Sequence, residues 1–242
     1  VQVRGFVIHL ARAAQRRAQV ERLLAEAPCP TEVFDAVDGR AMAEVEVVAV
    51  LSDRPVMHPP YPFQIGRGEL ACFLSHRALW QRMVDEGIDQ ALILEDDVAL
   101  EPGFAAAFAL ASRFVGVEGF VQFQTRPLRG TSEVVLQEDG VRVIRPRVVP
   151  RRTSAQLVGR RAAERLLAVS ARIDRPVDGM LQLVWETGQA VHCVLPSGVS
   201  DMTAEVGGTT VQRKSGVDIV ARLTRAYHRA VYRRAVQRLS RP

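Results

Sequence analysis

Three consecutive carboxylates, Glu95, Asp96 and Asp97, follow the uninterrupted apolar run Ala91-Leu92-Ile93-Leu94. Such a run reads as a short strand covered on both faces, and the acids mark its end. Side chains alternate along a strand, so continued extension turns Glu95 and Asp97 one way and Asp96 the other. Adjacent carboxylates repel, and burying one without a partner costs at least several kcal/mol. They need water, basic side chains or a cation, and hard divalent ions such as magnesium or manganese take oxygen ligands. Two readings stand at this point: a solvated turn after a core strand, or a metal site.

The elements that must position these acids are legible on either side. Val3 to Leu10 has strand-forming residues, and Val20, Leu23, Leu24 and Ala27 then recur at helical spacing, opening an α/β unit. A second short run, Glu32 to Val37, leads into the turn Asp38-Gly39, and residues 40–68 read as irregular, with the extended stretch His58-Pro59-Pro60-Tyr61-Pro62. From Glu69, the positions Phe73, His76, Trp80 and Met83 share one helical face, which reads His76 as a core histidine. Ser75 beside it has no triad context.

Beyond the acids, Pro102-Gly103 precedes an alanine-rich helix from Phe104 to Phe114, and Gly119 to Gln124 suggests a strand. Glu138-Asp139-Gly140 between two apolar-alternating runs marks a β-hairpin. A strand over Thr153 to Val158, a helix over Arg160 to Val169, a helical segment from Met180 to Trp185 and a strand from Ala190 to Leu195 follow. His192 in that last strand reads as structural. The alternation predicts an α/β fold with a mixed sheet flanked by helices and a β-hairpin insertion. Ligands of such sheets sit beyond the carboxyl ends of the strands, where the acids fall.

Composition narrows the function classes. The 242 residues and 48% hydrophobic content suit one sizeable packed domain. The three cysteines are odd in number and far apart, which argues against a disulfide framework and favours a reducing compartment. No apolar run of membrane-spanning length is present, and the arginine-rich sequence after Leu10 is a poor match to a secretory signal. The net charge of +5 is a local property: residues 213–242 carry nine Lys/Arg and one Asp, leaving residues 1–212 at −3. The main body is therefore not that of a nucleic-acid binder, and none is expected as a partner.

The segment Gly66-Arg67-Gly68-Glu69-Leu70-Ala71-Cys72-Phe73-Leu74-Ser75-His76, then Leu79-Trp80, then Ala91 to Val98, resembles glycosyltransferase family 25. That family includes bacterial lipooligosaccharide galactosyltransferases, and collagen galactosyltransferases resemble it. The opening VRGFVIHLARAAQRR, Val33 to Gly39, Ala162 to Leu167 and Pro176-Val177-Asp178 extend the likeness over most of residues 1–200.

The resemblance implies a GT-A type nucleotide-diphosphosugar transferase fold, an inverting mechanism, and Mn2+ or Mg2+ held at the acids, with Asp97 and Glu95 as metal contacts. It implies a nucleotide-sugar donor, UDP-galactose, and a glycan acceptor. Glu95, Asp96, His9, Arg12 and Arg16 are candidates for donor binding, although His9 stands where the family has asparagine. Asp178 is the candidate catalytic base, and a helix N-cap is its alternative role. Two departures bear on the sugar pocket: Leu70-Ala71 replace Ile-Gly, and Arg152 to Leu157 keeps only part of a Gly-Thr-x-Ala-Tyr pattern.

The sequence thus divides into a catalytic domain over 1–212 and a basic amphipathic helix over 213–242. Val220, Leu223, Tyr227 and Val231 form an apolar stripe, opposite Arg222, Arg225, Arg229 and Arg233. Two fates suit it: immersion at an anionic membrane surface through residues 217–241, which places the protein in the cytoplasm on the inner face of the cell membrane, or docking on the domain. A magnesium phosphohydrolase and a non-catalytic adaptor acting through the basic tail are the rival functions. The first lacks the D-x-D-x-[TV] motif of one large group of such enzymes.

Overall fold

The computed structural model describes residues 1–208 and 219–240. Its centre is an eight-stranded mixed sheet, with strands β1 (Val3–His9), β2 (Thr31–Asp35), β3 (Gln90–Glu95), β5 (Phe120–Phe123), β6 (Ser132–Glu138), β7 (Val141–Pro146), β8 (Ala155–Gly159) and β9 (His192–Leu195). The spatial order is β2-β1-β3-β8-β5-β9-β7-β6. β1 runs parallel to both β2 and β3, and β8 lies antiparallel between β3 and β5. β4 (Val98–Leu100) and β10 (Val199–Asp201) form a separate two-stranded ribbon.

The apolar run before the acids is the middle of this sheet, and its alternation divides the core. Ala91 and Ile93 face one layer with Phe6, Phe73 and Trp80; Leu92 and Leu94 face the other with Val7, Leu23 and Phe104. Helices α3 (Arg67–Asp85) and α5 (Arg160–Val169) cover the first face, and α1 (Arg17–Glu26) and α4 (Phe104–Val115) the second. Each of the four β3 side chains is fully buried. Truncating one such as Leu94 to alanine costs about 2–5 kcal/mol in a core of this kind. Phe73, His76, Trp80 and Met83 are all buried, as their spacing predicts. The hairpin also follows the sequence: Asp139 and Gly140 take φ of 46° and 81°, the positive values that a tight two-residue turn requires.

Three local expectations differ from the structure. Residues 40–68 contain a helix, α2 (Glu44–Val50), whose β-branched Val45 and Val48 are exposed and hide the helical pattern. Its start is set by Glu46, whose carboxylate accepts a bond from the Ala43 amide at 2.7 Å. The segment Met180 to Trp185 is two short helices, α6 (Val177–Leu181) and α7 (Val184–Thr187), rather than one.

The third difference is the basic helix, α8 (Ile219–Leu239). It docks through Tyr232 and Val236, which enter the core face shared with α3, while Leu223, Tyr227 and Val231 of the apolar stripe stay exposed. The Tyr232 hydroxyl sits 3.2 Å from Arg175 Nη1, and its ring meets Tyr61 edge-on at 5.6 Å. The Val220 side chain and the expected 212/213 boundary lie outside the described residues. Among the described residues, no helix is long and apolar enough to cross a membrane.

Candidate active site

β3 ends at Glu95, and Asp96 and Asp97 form the turn into β4. The turn is clamped from above: β10 pairs with β4, and the Met202 amide donates to the Asp97 carbonyl at 2.7 Å. The three acids then meet different surroundings. Asp96 is turned inward, where His9 Nδ1 contacts one carboxylate oxygen at 2.7 Å and Arg16 Nη1 bonds the other. Arg16 reaches it because Ala14–Arg16 form a 3-10 turn that leads into α1, and its second nitrogen donates to the Gly208 carbonyl at 2.6 Å. His9, Arg16 and Asp96 are all nearly inaccessible to solvent. Two of the arginine and histidine candidates for donor binding are therefore committed to Asp96.

Glu95 and Asp97 open together into a cavity of about 810 Å³. Glu95 accepts from Thr153 Oγ1 at 2.9 Å and lies 3.6 Å from His76 Nε2. Gln156 Nε2 donates to His76 Nδ1 at 2.8 Å, which leaves the ring proton on Nε2, aimed at Glu95. Burial pushes the Glu95 carboxyl up, but His76, Thr153 and the Arg16 charge outweigh it and hold it below its ordinary value. Asp97 goes the other way: burial, then the neighbouring Glu95 charge, push it up to about 6, against the pull of Arg16 at 3.3 Å. Glu95 is the ionised partner, and Asp97 is the one that takes up a proton first.

Thr203 couples Asp97 to a fourth acid. Its hydroxyl is 2.5 Å from Asp201 Oδ1 and 3.2 Å from Asp97 Oδ2. A hydroxyl has one proton, so Thr203 shares it between the two carboxylates, and Asp97, at the longer distance, is left incompletely satisfied. Thr203 and Arg152, the latter at 2.5 Å, hold Asp201 well below the carboxylate range.

Asp178 lines the same cavity from the start of α6. The N-cap of that helix is Pro176, with no side-chain cap bond, so Asp178 is not the cap residue. Its partner is Arg151 Nη2 at 3.4 Å. A second, smaller cavity of about 160 Å³ shares Glu95, Asp97 and Cys72 with the first and runs between β1 and α3. Arg12 and Arg16 line it, and Arg12 is paired with Asp38 at 2.8 Å. Gly39 is needed here: a Cβ would stand 2.6 Å from the Arg67 carbonyl.

The oxygen-rich Glu95 and Asp97 fit a hard divalent cation, because they face one cavity and Asp97, beside the Glu95 charge, is incompletely neutralised by protein groups. Cys72 Sγ, a His76 ring nitrogen and a Glu95 oxygen also lie within 4.8 Å of one another, a group that the sequence reading did not single out. Its signal was present in the i,i+4 spacing of Cys72 and His76 on α3. Tyr61, Asp201 and Thr203 were missed as well, and for them the sequence holds no local signal. His192 packs on Phe114 at 4.7 Å, away from the acids.

Comparison with known proteins gives the family of the chain. The family profile described as "Glycosyltransferase family 25 (LPS biosynthesis protein)" matches residues 3–181. The chain belongs to glycosyltransferase family 25. It is 35% identical over 101 residues to procollagen galactosyltransferase 1 of Danio rerio, covering 41% of this chain and 17% of that protein. It is 39% identical over 101 residues to a Rattus norvegicus protein named "Probable inactive glycosyltransferase 25 family member 3", covering 41% of this chain and 18% of that one. The chain thus spans about a sixth of the length of the curated relatives it matches. A crystal structure described as mannose-1-phosphate geranyltransferase from Thermus thermophilus aligns with a TM-score of 0.42 and 15% identity, over 80% of this chain and 74% of that one. In this family 25 chain, the large mixed sheet flanked by helices, with acids at the carboxyl end of β3, is the mixed α/β arrangement expected from the sequence.

Proposed function

We propose that this chain transfers a hexose, galactose from UDP-galactose, with inversion onto a saccharide acceptor of a lipopolysaccharide, lipooligosaccharide or other surface glycan. The observation that carries the reading is the convergence of Glu95, Asp97 and Asp178 on one cavity, continuous with the cleft between β1 and α3. Relatives bearing galactosyltransferase names support the sugar, and the family's description supports the glycan class.

Asp178 accepts the proton of the acceptor hydroxyl as its oxygen attacks the anomeric carbon. The new glycosidic bond forms on the face opposite the breaking bond to the diphosphate, and UDP departs with that electron pair. Asp97 and Glu95 would hold Mn2+ or Mg2+, which would supply charge neutralisation to the diphosphate. His9 and Arg16 hold Asp96 and so fix the turn that aims the other two acids. Arg12 is free to exchange Asp38 for a phosphate oxygen, because an exposed ion pair is weak.

The exposed stripe Leu223, Tyr227 and Val231, with arginines alongside, supports a cytoplasmic protein held peripherally on the inner membrane face, where a lipid-linked acceptor would lie. Equal binding to anionic and neutral vesicles at moderate salt would remove that location. The test of the main reading is a thermal-shift screen of nucleotide sugars with and without manganese. A manganese-dependent shift with UDP-galactose is expected; no shift with any nucleotide sugar would sink it.

A further inference from the structure

Arg126, Arg129, Arg147, Arg151, Arg152 and Arg233 line one cavity of about 770 Å³, and no acidic residue among the described residues lines it. They come from three separate stretches: the segment between β5 and β6, the segment between β7 and β8, and α8. Three are partly neutralised. Arg152 and Arg126 approach Asp201 at 2.5 and 3.9 Å, and Arg151 approaches Asp178 at 3.4 Å. Arg129, Arg147 and Arg233 have no carboxylate within ion-pair distance among the described residues.

Scattered surface arginines are ordinarily just solvated. Here three chain segments turn theirs into one concavity, where like charges reinforce a positive potential. Guanidinium groups meet phosphate and carboxylate through paired N–H bonds, so the concavity suits anions of that kind. The cavity is also not isolated: Arg126, Arg151 and Arg152 line the Glu95–Asp97–Asp178 cavity as well. A ligand can therefore extend from one into the other. Along that path the charge changes sign, from the acid pair at one end to the arginines at the other. A molecule that is neutral at one end and anionic at the other is held in a single orientation by both ends.

We infer that the arginine-lined cavity is an acceptor subsite for a saccharide bearing phosphate or carboxylate groups, whose neutral hydroxyl end reaches Asp178. This rests on the transferase reading of the neighbouring cavity. The diphosphate of the donor has its place at the acids in that reading, which leaves the arginines to the acceptor.

The test is direct binding, by calorimetry without donor, of glucose, glucose 6-phosphate and glucuronic acid to the wild-type chain and to the Arg129→Gln/Arg233→Gln variant. Both arginines are exposed and make no hydrogen bond among the described residues, so the variant is expected to keep the wild-type melting temperature. An anionic sugar should bind at least about tenfold more tightly than glucose, a difference of about 1.4 kcal/mol, and the double variant should lose that margin. Glucose 6-phosphate ahead of glucuronic acid identifies the phosphate; the reverse order identifies the carboxylate. Equal binding of glucose and both anionic sugars, or a margin that survives in the double variant, overturns the inference. So does a variant whose manganese-dependent UDP-galactose binding falls in place of the margin, since the arginines would then hold the donor. Because the margin is read without donor, its absence counts against the anionic acceptor, whereas a wild-type chain that binds no nucleotide sugar counts against the transferase reading.

Discussion

Asp96 and Asp97 are neighbours in one turn, yet their surroundings are opposite. Asp96 is enclosed with Arg16 and His9 against it, so its charge is matched within the fold. Asp97 faces a cavity, has Glu95 beside it and only a share of Arg16 and Thr203, and its carboxyl is pushed up to about 6. The difference separates two uses of the same side chain. A carboxylate fully paired inside the protein fixes geometry, whereas one left incompletely paired toward solvent-filled space is available to a cation.

The largest expected effect lies on the open side. Asp97→Asn should lower transfer by at least about 10³-fold, equivalent to about 4 kcal/mol, with donor affinity no longer dependent on manganese. Steady-state rates and manganese-dependent UDP binding would measure it; a variant with full activity ends the assignment.

The enclosed side is expected to respond in stability first. Asp96→Asn leaves Arg16 buried with a weaker partner and should cost about 3 kcal/mol by urea unfolding. Asp97→Asn should have the opposite sign in metal-free protein. The raised folded value means that the Asp97 carboxylate opposes folding, an effect absent below the ordinary carboxylate value and complete above about pH 6. Asparagine removes that penalty, so the variant should gain up to about 3 kcal/mol over wild type at pH 7 and nothing at pH 3. If both substitutions destabilise equally at pH 7, the contrast between the two acids is wrong.

Asp178 is the third carboxylate of the open cavity and sharpens the comparison from the far wall. Asp178→Asn should reduce kcat by about 10²-fold while leaving UDP-galactose binding within error. A fall in donor affinity with kcat retained would move Asp178 from the proton to the donor. Its position in the first turn of α6, with Pro176 at the cap, already separates it from the N-cap role.

Part of this division was legible in the sequence through the alternation of β3 up to Glu95, whereas Asp96 and Asp97 lie in the turn to β4, outside the continued extension that the alternation assumes. Ala91 to Leu94 predicts a two-faced buried strand, and the turn after it keeps Glu95 and Asp97 on one side and Asp96 on the other. The apolar periodicities of α3 and α5 and the Asp-Gly turn of the hairpin are local signals too, and they reappear at the expected residues. What was illegible is long-range pairing. Arg16 with Asp96, Thr203 with Asp97 and Arg152 with Asp201 join residues 80, 106 and 49 positions apart. Periodicity also failed where apolar residues face outward. In α8 the stripe Leu223, Tyr227, Val231 is more regular than the pair Tyr232 and Val236, yet the pair is what packs.

Thr203 offers the smallest and most specific probe of the open side. Its hydroxyl lowers the proton affinity of both Asp97 and Asp201, and it contacts no group around Asp96. Thr203→Val keeps the shape and removes the hydroxyl, at a cost of about 1 kcal/mol for one hydrogen bond. With that stabilising influence gone, the Asp97 carboxylate should hold its proton to a higher pH, by up to about one unit. Carboxyl NMR titration of metal-free protein reads the shift directly, with Asp201 moving in the same direction. The Asp96 resonance should stay where it is, since His9 and Arg16 are untouched. An Asp97 value that falls would mean that the threonine repels the carboxylate instead of supporting it. An Asp96 resonance that moves along with it would mean that the two acids titrate as one group, erasing the distinction between the matched acid and the open one.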